Sequence, residues 1–267
     1  MARALKIPAL RGIAGVALIG LTFYAMLQAI SFCLKFLPEP IGSRASLFGD
    51  AAGVTLLLTL WSAAFGLLIG VLVGLAKLSR SPLIRLPAAF YVWVLRGTPL
   101  LVQVLFVYLA LPELLKAAFV PIGWLSKDWS GIPDFWSGVL ALSLNVGAYN
   151  AEIVRGAVLS IPNGQSEAAR SLGLGSSQTM LEIILPQSLR VALPPLVNNL
   201  VSLLKDSSQV SVIGVLELLL QTQRVSSETF LPLPILSTAA GIYLTMTTVM
   251  TLFTNALEQR FQATGKR

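Results

Sequence analysis

The sequence contains no histidine and a single cysteine, Cys33, among its 267 residues. Without histidine no histidine-based catalytic or metal site can form, and one cysteine excludes an internal disulfide and any cysteine-based metal cluster. Charged residues make up only 12% of the chain, whereas an ordinary soluble domain carries about 25%. The phosphate-binding pattern G-x-x-x-x-G-K-[ST] is also absent. The chain therefore cannot bind ATP through such a loop, and no nucleophile–base pair indicates an enzyme.

Apolar residues take the place of the missing charges and make up 55% of the sequence. They form six runs long enough to cross a bilayer as helices of about 20 residues. The runs lie at 12–37, 50–76, 90–111, 135–159, 193–215 and 234–257. This pattern predicts an all-α integral membrane protein with a single transmembrane domain over residues 1–267. The first run is too long for a secretory signal and has no obvious cleavage site, so we expect it to be retained.

The formal net charge is +7, and the placement of the basic residues predicts how the chain is oriented. Lysine and arginine concentrate in alternate connections between the apolar runs, which is typical of cytoplasmic loops. This side holds Arg3, Lys6, Arg11, Lys77, Arg80, Arg85, Arg96, Arg155, Arg170, Arg190, Arg260, Lys266 and Arg267, and the other holds Arg44, Lys116, Lys127 and Arg224. Both termini and residues 161–190 are therefore predicted to be cytoplasmic. A charge spread so thinly forms no nucleic acid patch.

Residues 161–190 are the longest stretch that cannot sit in the core of a bilayer. The stretch opens with the turn residues Pro-Asn-Gly and continues with a helix-compatible run over 165–172. Gly173 stands where a helix end usually places a residue with positive φ. A second short helix is predicted after it, capped by Ser176 and Ser177 and limited by Pro186. Two short helices at a fixed angle would form a rigid projection, which suits a soluble partner.

The spacing of this stretch resembles a known family. Glu167-Ala168-Ala169, three residues, Gly173, nine residues and then Ile183-x-Leu185-Pro186 is similar to the Glu-Ala-Ala loop in the membrane subunits of bacterial ABC importers. The resemblance implies that residues 161–190 are a coupling-helix pair seated in a groove of a separate ATPase. It assigns that contact to Glu167, Ala168, Ala169, Gly173, Leu185 and Pro186. The alternative is an ordinary polar loop between two membrane helices.

Three further segments resemble polar amino acid permeases of the histidine and glutamine type. They are Arg96–Gln103, Gly147–Gly156 and Leu203–Ser207. The resemblance implies an ABC type I importer permease fold with six transmembrane helices, of which 50–257 form a five-helix core and 12–37 an extra helix. It also implies a multi-pass position in a bacterial inner (plasma) membrane. What this extra helix adds is not implied, because members commonly have five spans.

The same resemblance implies the partners of the chain. We expect two ATPase subunits that bind ATP and magnesium, a second permease subunit that is identical or homologous, and an extracytoplasmic binding protein that delivers an amino acid. The surrounding partner is the lipid bilayer. No cofactor or metal is expected in this chain itself, and no catalytic residue. Movement of substrate would follow from a two-state rearrangement driven by the ATPases.

Polar side chains inside the predicted fourth and fifth spans are candidates for contact with the amino acid. Such groups are costly in a bilayer unless they face protein or water, and a zwitterion needs both an acceptor and donors. The candidates are Asn145, Asn150, Asn198, Asn199, Lys205, Asp206, Ser208 and Gln209. The alternative is that the Lys205–Asp206 pair and the asparagines only bond neighbouring helices.

Two other patterns have structural interpretations. Glu152 and Arg155 lie three residues apart, so they can form an ion pair on one helix face. Gly66, Gly70 and Gly74 recur every four residues and share a helix face. Such a stripe lets two backbones approach closely, either within the chain or between subunits.

The rival hypothesis is a secondary transporter or channel subunit for small polar solutes. It would also place polar groups inside the membrane. It would not need a rigid cytoplasmic projection with the importer spacing, and no clear inverted repeat is visible in the sequence.

Overall fold

A computed structural model describes residues 6–263 of the chain, and their side chains over residues 20–256. Within that range the chain forms nine helices joined by turns, with no strand, so the all-α prediction is confirmed. The helices are α1 Lys6–Leu34, α2 Ala45–Lys77, α3 Pro82–Gly97, α4 Leu100–Phe119, α5 Asp134–Leu159, α6 Asn163–Ser171, α7 Ser176–Ile213, α8 Leu218–Thr229 and α9 Pro232–Ala263. A single 3₁₀ turn, Gly42–Arg44, leads into α2.

Four helical segments are long and apolar enough to cross a membrane, which identifies a multi-pass protein. They are Gly42–Lys77, Leu100–Phe119, Ser176–Ile213 and Pro232–Ala256. Helix α5 lies outside this set. It carries the polar Asn145, Asn150 and Glu152, of which Asn150 is buried, and many of its other residues are buried against protein. The described apolar part of α1, Gly20–Leu34, is shorter. The count of six spans stays a prediction.

The chain divides into two compact units. One comprises the residues up to Val54 together with Leu216–Met246, and it has Phe48, Leu218 and Ile235 in its interior. The other comprises Thr55–Val215 and the residues from Thr247 onward. All candidate site residues from the sequence fall in the second unit, where α5 is the central helix and packs against α3, α4 and α7.

The glycine stripe of α2 packs against α5 within the same chain. A Cβ at Gly74 would lie 2.8 Å from the carbonyl oxygen of Ala151 and 2.9 Å from Cβ of Val154. Gly66 and Gly70 meet Val146 and Asn150 in the same way, too closely for any side chain. Because only hydrogen fits at these positions, the two backbones approach closely from Gly66 to Gly74, over a little more than two helical turns. The stripe is therefore an internal packing surface, which was one of the two alternatives.

The predicted third span is divided by a break. Helix α3 ends at Gly97, Thr98 and Pro99 are extended, and α4 begins at Leu100. Gly97 and Pro99 explain the break, because glycine is a poor helix former and proline lacks the amide that a helix interior needs. The connection between the third and fourth apolar runs is shorter than the gap of 112–134 between those runs, because α4 continues through Pro112 as far as Phe119. Pro112 lies just after a π-helical turn at Phe106–Ala110, whose wider spacing relieves the clash of a proline ring with the preceding turn.

The prediction of a second short helix ended by Pro186 is wrong. Helix α7 begins at Ser176 and continues through Leu185 and Pro186 into the predicted fifth span without interruption. A π-helical turn over Thr179–Ile184 precedes the proline, and the amide of Leu185 donates to the carbonyl of Met180, five residues back. The widened turn accommodates the ring of Pro186, so a residue that usually stops a helix is tolerated here.

Candidate functional site

The turn between α6 and α7 has the geometry that Gly173 predicts. Gly173 has φ +81°, its amide donates to the carbonyl of Arg170 at 2.9 Å, and the amide of Leu174 donates to that of Ala169 at 3.1 Å. These two bonds form a Schellman motif, which satisfies the last carbonyls of α6. A Cβ at Gly173 would meet no atom within 4 Å. Glycine is therefore required by the backbone conformation and not by crowding.

The start of α7 is capped differently from the prediction. The cap residue is Gly175, and its amide donates to Oε1 of Gln178 at 3.2 Å, whereas Ser176 and Ser177 lie inside the first turn. A second link joins α6 to α7, because Nε2 of Gln187 lies 3.4 Å from Oε1 of Gln165 and donates to the carbonyl of Ile183 at 2.9 Å. Together the Schellman turn and these side chains hold the two helices at a fixed angle.

The residues that the resemblance assigns to an ATPase contact differ in exposure. Glu167, Ala168, Gly173 and Pro186 are exposed, Leu185 is half-buried, and Ala169 is buried against α7. Two leucines of the same segment are also open to solvent, with Leu172 82% and Leu181 63% exposed. Exposed leucines on this otherwise polar projection are candidates for contact with a partner protein.

A polar cavity of about 400 Å³ lies between α5, α7 and the break that separates α3 from α4. Its lining residues are Thr98, Pro99, Leu100, Asn145, Val146, Tyr149, Asn199, Ser202, Leu203, Asp206 and Gln209. Four of the eight candidate residues thus meet at one cavity: Asn145, Asn199, Asp206 and Gln209. Among these lining residues Asp206 is the only carboxylate. The volume lies in the range of about 300–1,000 Å³ that small-molecule sites occupy.

The remaining candidates lie elsewhere. Asn150 is buried behind the cavity wall and accepts a hydrogen bond from Nδ2 of Asn199 at 3.1 Å. Asn198 and Lys205 are exposed on other faces of α7. The hydroxyl of Ser208 donates to the carbonyl of Lys205 at 2.7 Å. The alternative of asparagines that bond neighbouring helices therefore describes Asn150, whereas Asn145 and Asn199 both bond a neighbour and line the cavity.

Glu152 forms the ion pair expected from its spacing and one more. Nη2 of Arg155 lies 2.9 Å from Oε2 of Glu152 on the same helix, and Nζ of Lys77, at the end of α2, pairs with Oε1. The carboxylate is 18% exposed and Lys77 16%. The second pair joins two helices at the same end as the α6–α7 projection. Its partners are 75 residues apart, and no local spacing in the sequence indicates it.

Sequence reasoning also missed two side chains that support the cavity. The guanidinium carbon of Arg96 lies 5.2 Å from the ring centroid of Tyr149, a cation–π distance. Gln103 is 8% exposed and its amide oxygen accepts from Nδ2 of Asn145 at 2.9 Å. Both residues belong to segments that carry the family resemblance, which was the available signal. In the part of the chain that the structure describes, no group of three or more Cys, Asp or Glu is placed to hold a metal ion.

Comparison with known protein sequences gives consistent matches. A model of the family described as "Binding-protein-dependent transport system inner membrane component" matches residues 66–263. The glutamine transport system permease protein GlnP of Escherichia coli (strain K12) is 39% identical over 213 residues, which cover 80% of this chain and 92% of that protein. The arginine transport system permease protein ArtQ of Bacillus subtilis (strain 168) is 34% identical over 215 residues, with 80% and 92% covered.

Solved structures agree with the sequence matches. One match is the structure described as "Crystal structure of an amino acid ABC transporter with histidines". The superposition has a TM-score of 0.71 and 36% sequence identity, and it covers 82% of this chain and 95% of that one. The methionine ABC transporter MetNI, in an inward-facing conformation, has a TM-score of 0.65 at 18% identity, with 84% and 99% covered. At that identity the second likeness concerns the fold alone.

Proposed function

The chain belongs to the family of binding-protein-dependent transport system inner membrane components, and we propose that it is the permease subunit that carries polar amino acids in an ATP-driven importer. As such it is a transport protein of the inner membrane and is not itself catalytic. The substrates in the names of its relatives, glutamine and arginine, set the expected class. The ATPase subunits would bind ATP and magnesium.

The observation that carries this proposal is the continuity of helix α7. It begins in the projection at Ser176 and reaches the cavity at Asp206 without a break. At 1.5 Å per residue these 30 steps span roughly 45 Å. A stiff element of that length joins the surface on which a motor would act to the residues that would face a substrate. A secondary transporter has no need of such a connection.

We propose that the ATPases seat themselves on the 161–190 segment. Glu167 and Ala168 would contact the partner directly, and the exposed leucines Leu172 and Leu181 would fill apolar space in its groove. Ala169 and Leu185 would act from within, by packing the two helices together. Gly173 would set the angle between them, and Pro186 would lie at the rim of the contact.

We propose that the cavity between α5 and α7 is the amino acid path. Asp206 would accept the ammonium group, and Gln209 and Ser202 would supply amide and hydroxyl donors to the carboxylate. A second permease subunit would complete the path, and a binding protein would deliver the substrate from outside. Both termini of the chain would lie in the cytoplasm. The path would open alternately to the outside and to the cytoplasm, as the complex changes between two states.

Uptake of labelled amino acids into vesicles that contain the complete complex tests this function. We expect glutamine or arginine to accumulate only when ATP and the binding protein are present, and accumulation to persist when ion gradients are collapsed. Uptake that survives ATP depletion and stops with the ion gradient would establish the secondary-transporter alternative. Asp206→Asn should lower uptake at least tenfold, whereas Asp128→Asn, the same change in an exposed loop, should leave it unchanged.

A further inference from the structure

The break between α3 and α4 leaves backbone groups without helical partners. Thr98 (φ −120°, ψ 149°) and Pro99 (φ −63°, ψ 138°) are extended, and both line the cavity together with Leu100. Unsatisfied backbone groups cost several kcal/mol each in a bilayer core, so breaks are tolerated where they border a cavity and find other partners. The carbonyl oxygens of Leu95 and Thr98 are two groups that need a donor here.

Gln103 supplies that donor from the second turn of α4. Its Nε2 lies 2.8 Å from the carbonyl oxygen of Leu95, 3.0 Å from that of Thr98 and 2.9 Å from Oγ1 of Thr98. The hydroxyl of Thr98 in turn donates to the carbonyl of Val94 at 2.9 Å. Carbonyl oxygens only accept, so the nitrogen end of the Gln103 amide must face the break. The orientation of this amide is thereby fixed by chemistry.

The fixed orientation of the Gln103 amide also sets the orientation of the Asn145 amide. Oε1 of Gln103 faces away from the break and accepts from Nδ2 of Asn145 at 2.9 Å. Gln103 is outside the lining of the cavity, whereas Asn145 is part of it. The bond to Gln103 uses one N–H of Asn145 and fixes which end of its amide lies against Gln103, so the amide oxygen lies at the opposite end and is available as an acceptor. An asparagine without this neighbour would present either end.

We propose that Gln103 is a positioning residue that turns Asn145 into an obligatory acceptor, so that the cavity selects a cationic group. The amide oxygen of Asn145 and the carboxylate of Asp206 would then both accept hydrogen bonds from the ammonium group of the substrate. Asn199 would also offer an acceptor, since its amide nitrogen donates to Asn150. The cavity would thus favour amino acids over analogues without the ammonium group. This inference rests on the proposed function and assigns the group by which the substrate is recognised.

Binding to the purified complex, without the binding protein, tests the inference. The probes are labelled L-glutamine, L-arginine and L-cystine, and for whichever binds, the same molecule with a hydroxyl in place of its ammonium. The wild type should prefer the amino acid by at least a hundredfold. Gln103→Leu should reduce this preference at least tenfold, because Asn145 is released to turn its nitrogen to the cavity. Gln223→Leu, the same change on the exposed face of α8, is the matched control and should bind as the wild type.

A double-variant cycle separates positioning from a general weakening of the fold. Asn145→Leu alone should lower the preference about as much as Gln103→Leu, and the two together should lower it no further, because they remove one interaction. If the loss of preference in the double variant equals the product of the two single losses, the proposal is overturned. A Gln103→Leu complex with the wild-type preference would also overturn it.

Two other outcomes also decide the matter. If Gln103→Leu fails to assemble, Asn145→Leu carries the test, since it leaves the bonds of Gln103 to Leu95 and Thr98 in place; a wild-type preference in that variant would overturn the inference. A wild-type complex that binds none of the three amino acids would instead refute the proposed function. Binding by the wild type with unaffected variants refutes only the role of Gln103.

Discussion

Tyr243 donates its phenolic hydrogen to Oε2 of Glu217 at 2.9 Å, and that carboxylate has no exposed surface. The same side chain caps helix α8, because its oxygens accept from the amides of Leu219 and Leu220, both at 2.9 Å. A buried carboxylate is tolerated only when hydrogen bonds replace its water. The bond from α9 and the cap of α8 therefore share one group.

Removing the phenolic hydroxyl should weaken this unit. We expect Tyr243→Phe to cost about 1.5–3 kcal/mol, the range for hydrogen bonds to charged groups. Glu217→Ala should cost more, because two amides also lose their acceptor. Thermal unfolding of the detergent-purified protein measures both. Tyr24→Phe, at a 60% exposed tyrosine, is the control. Equal melting temperatures for Tyr243→Phe and Tyr24→Phe would contradict the expectation.

The contact between α2 and α5 should not accept a single methyl group. In Gly74→Ala the new carbon would press on the carbonyl of Ala151 and on Val154, so we expect a loss of about 1–3 kcal/mol from overpacking. Gly241→Ala makes the same change in α9, where a Cβ meets no atom within 4 Å. That variant should be neutral, or up to about 1 kcal/mol more stable, because alanine favours helix. Parallel melting curves compare them, and a Gly74→Ala protein as stable as Gly241→Ala would rule out the close contact.

The turn at Gly173 should require a residue that adopts positive φ. Gly173→Val should abolish transport while the protein still inserts in the membrane, because a β-branched residue in this conformation shifts the angle between α6 and α7. Gly173→Asn should retain a large part of the uptake, since asparagine tolerates the left-handed region. Gly164→Ala, within α6, serves as control. Vesicle uptake per inserted molecule is the measurement, and Gly173→Val with normal uptake would refute the role of the turn.

The pair between Lys77 and Glu152 should behave as one unit. Lys77→Met or Glu152→Leu alone leaves a partly buried charge without its partner across the α2–α5 contact, and we expect each to cost about 2 kcal/mol, below the roughly 3–5 kcal/mol of a fully buried pair. The double variant should recover part of this loss, since apolar side chains replace the pair while the more exposed Arg155 still lacks its bond to Glu152. Chemical denaturation of the four proteins gives the coupling; strictly additive effects would show that the two residues act independently.

Local signals in the sequence predicted the features that depend on near neighbours. Gly173 was predicted to have positive φ from its place after a helical run, and Glu152–Arg155 from a three-residue spacing, and both are confirmed. Helix content and the bend near Pro99 follow from the same kind of signal. These features need no knowledge of what packs against them.

Features that depend on distant residues were not predictable in this way. Lys77 pairs with a residue 75 positions away, and Gln103 with one 42 positions away, so no periodicity indicates either. Pro186 misled the prediction because its cost depends on the turn before it, and a π-helical turn has no clear sequence pattern. The division of the eight polar candidates between cavity, interior and surface likewise depends on how α5 and α7 face each other.

The unbroken course of α7 also fixes a count of residues. Each residue inserted into an α-helix turns everything beyond it by about 100° and advances it by 1.5 Å. One additional alanine after Val191 would swing Asp206 out of the cavity while Thr179 kept its place. The number of residues from Thr179 to Asp206 therefore decides which side chains of α7 face the cavity, as much as the identity of those side chains does.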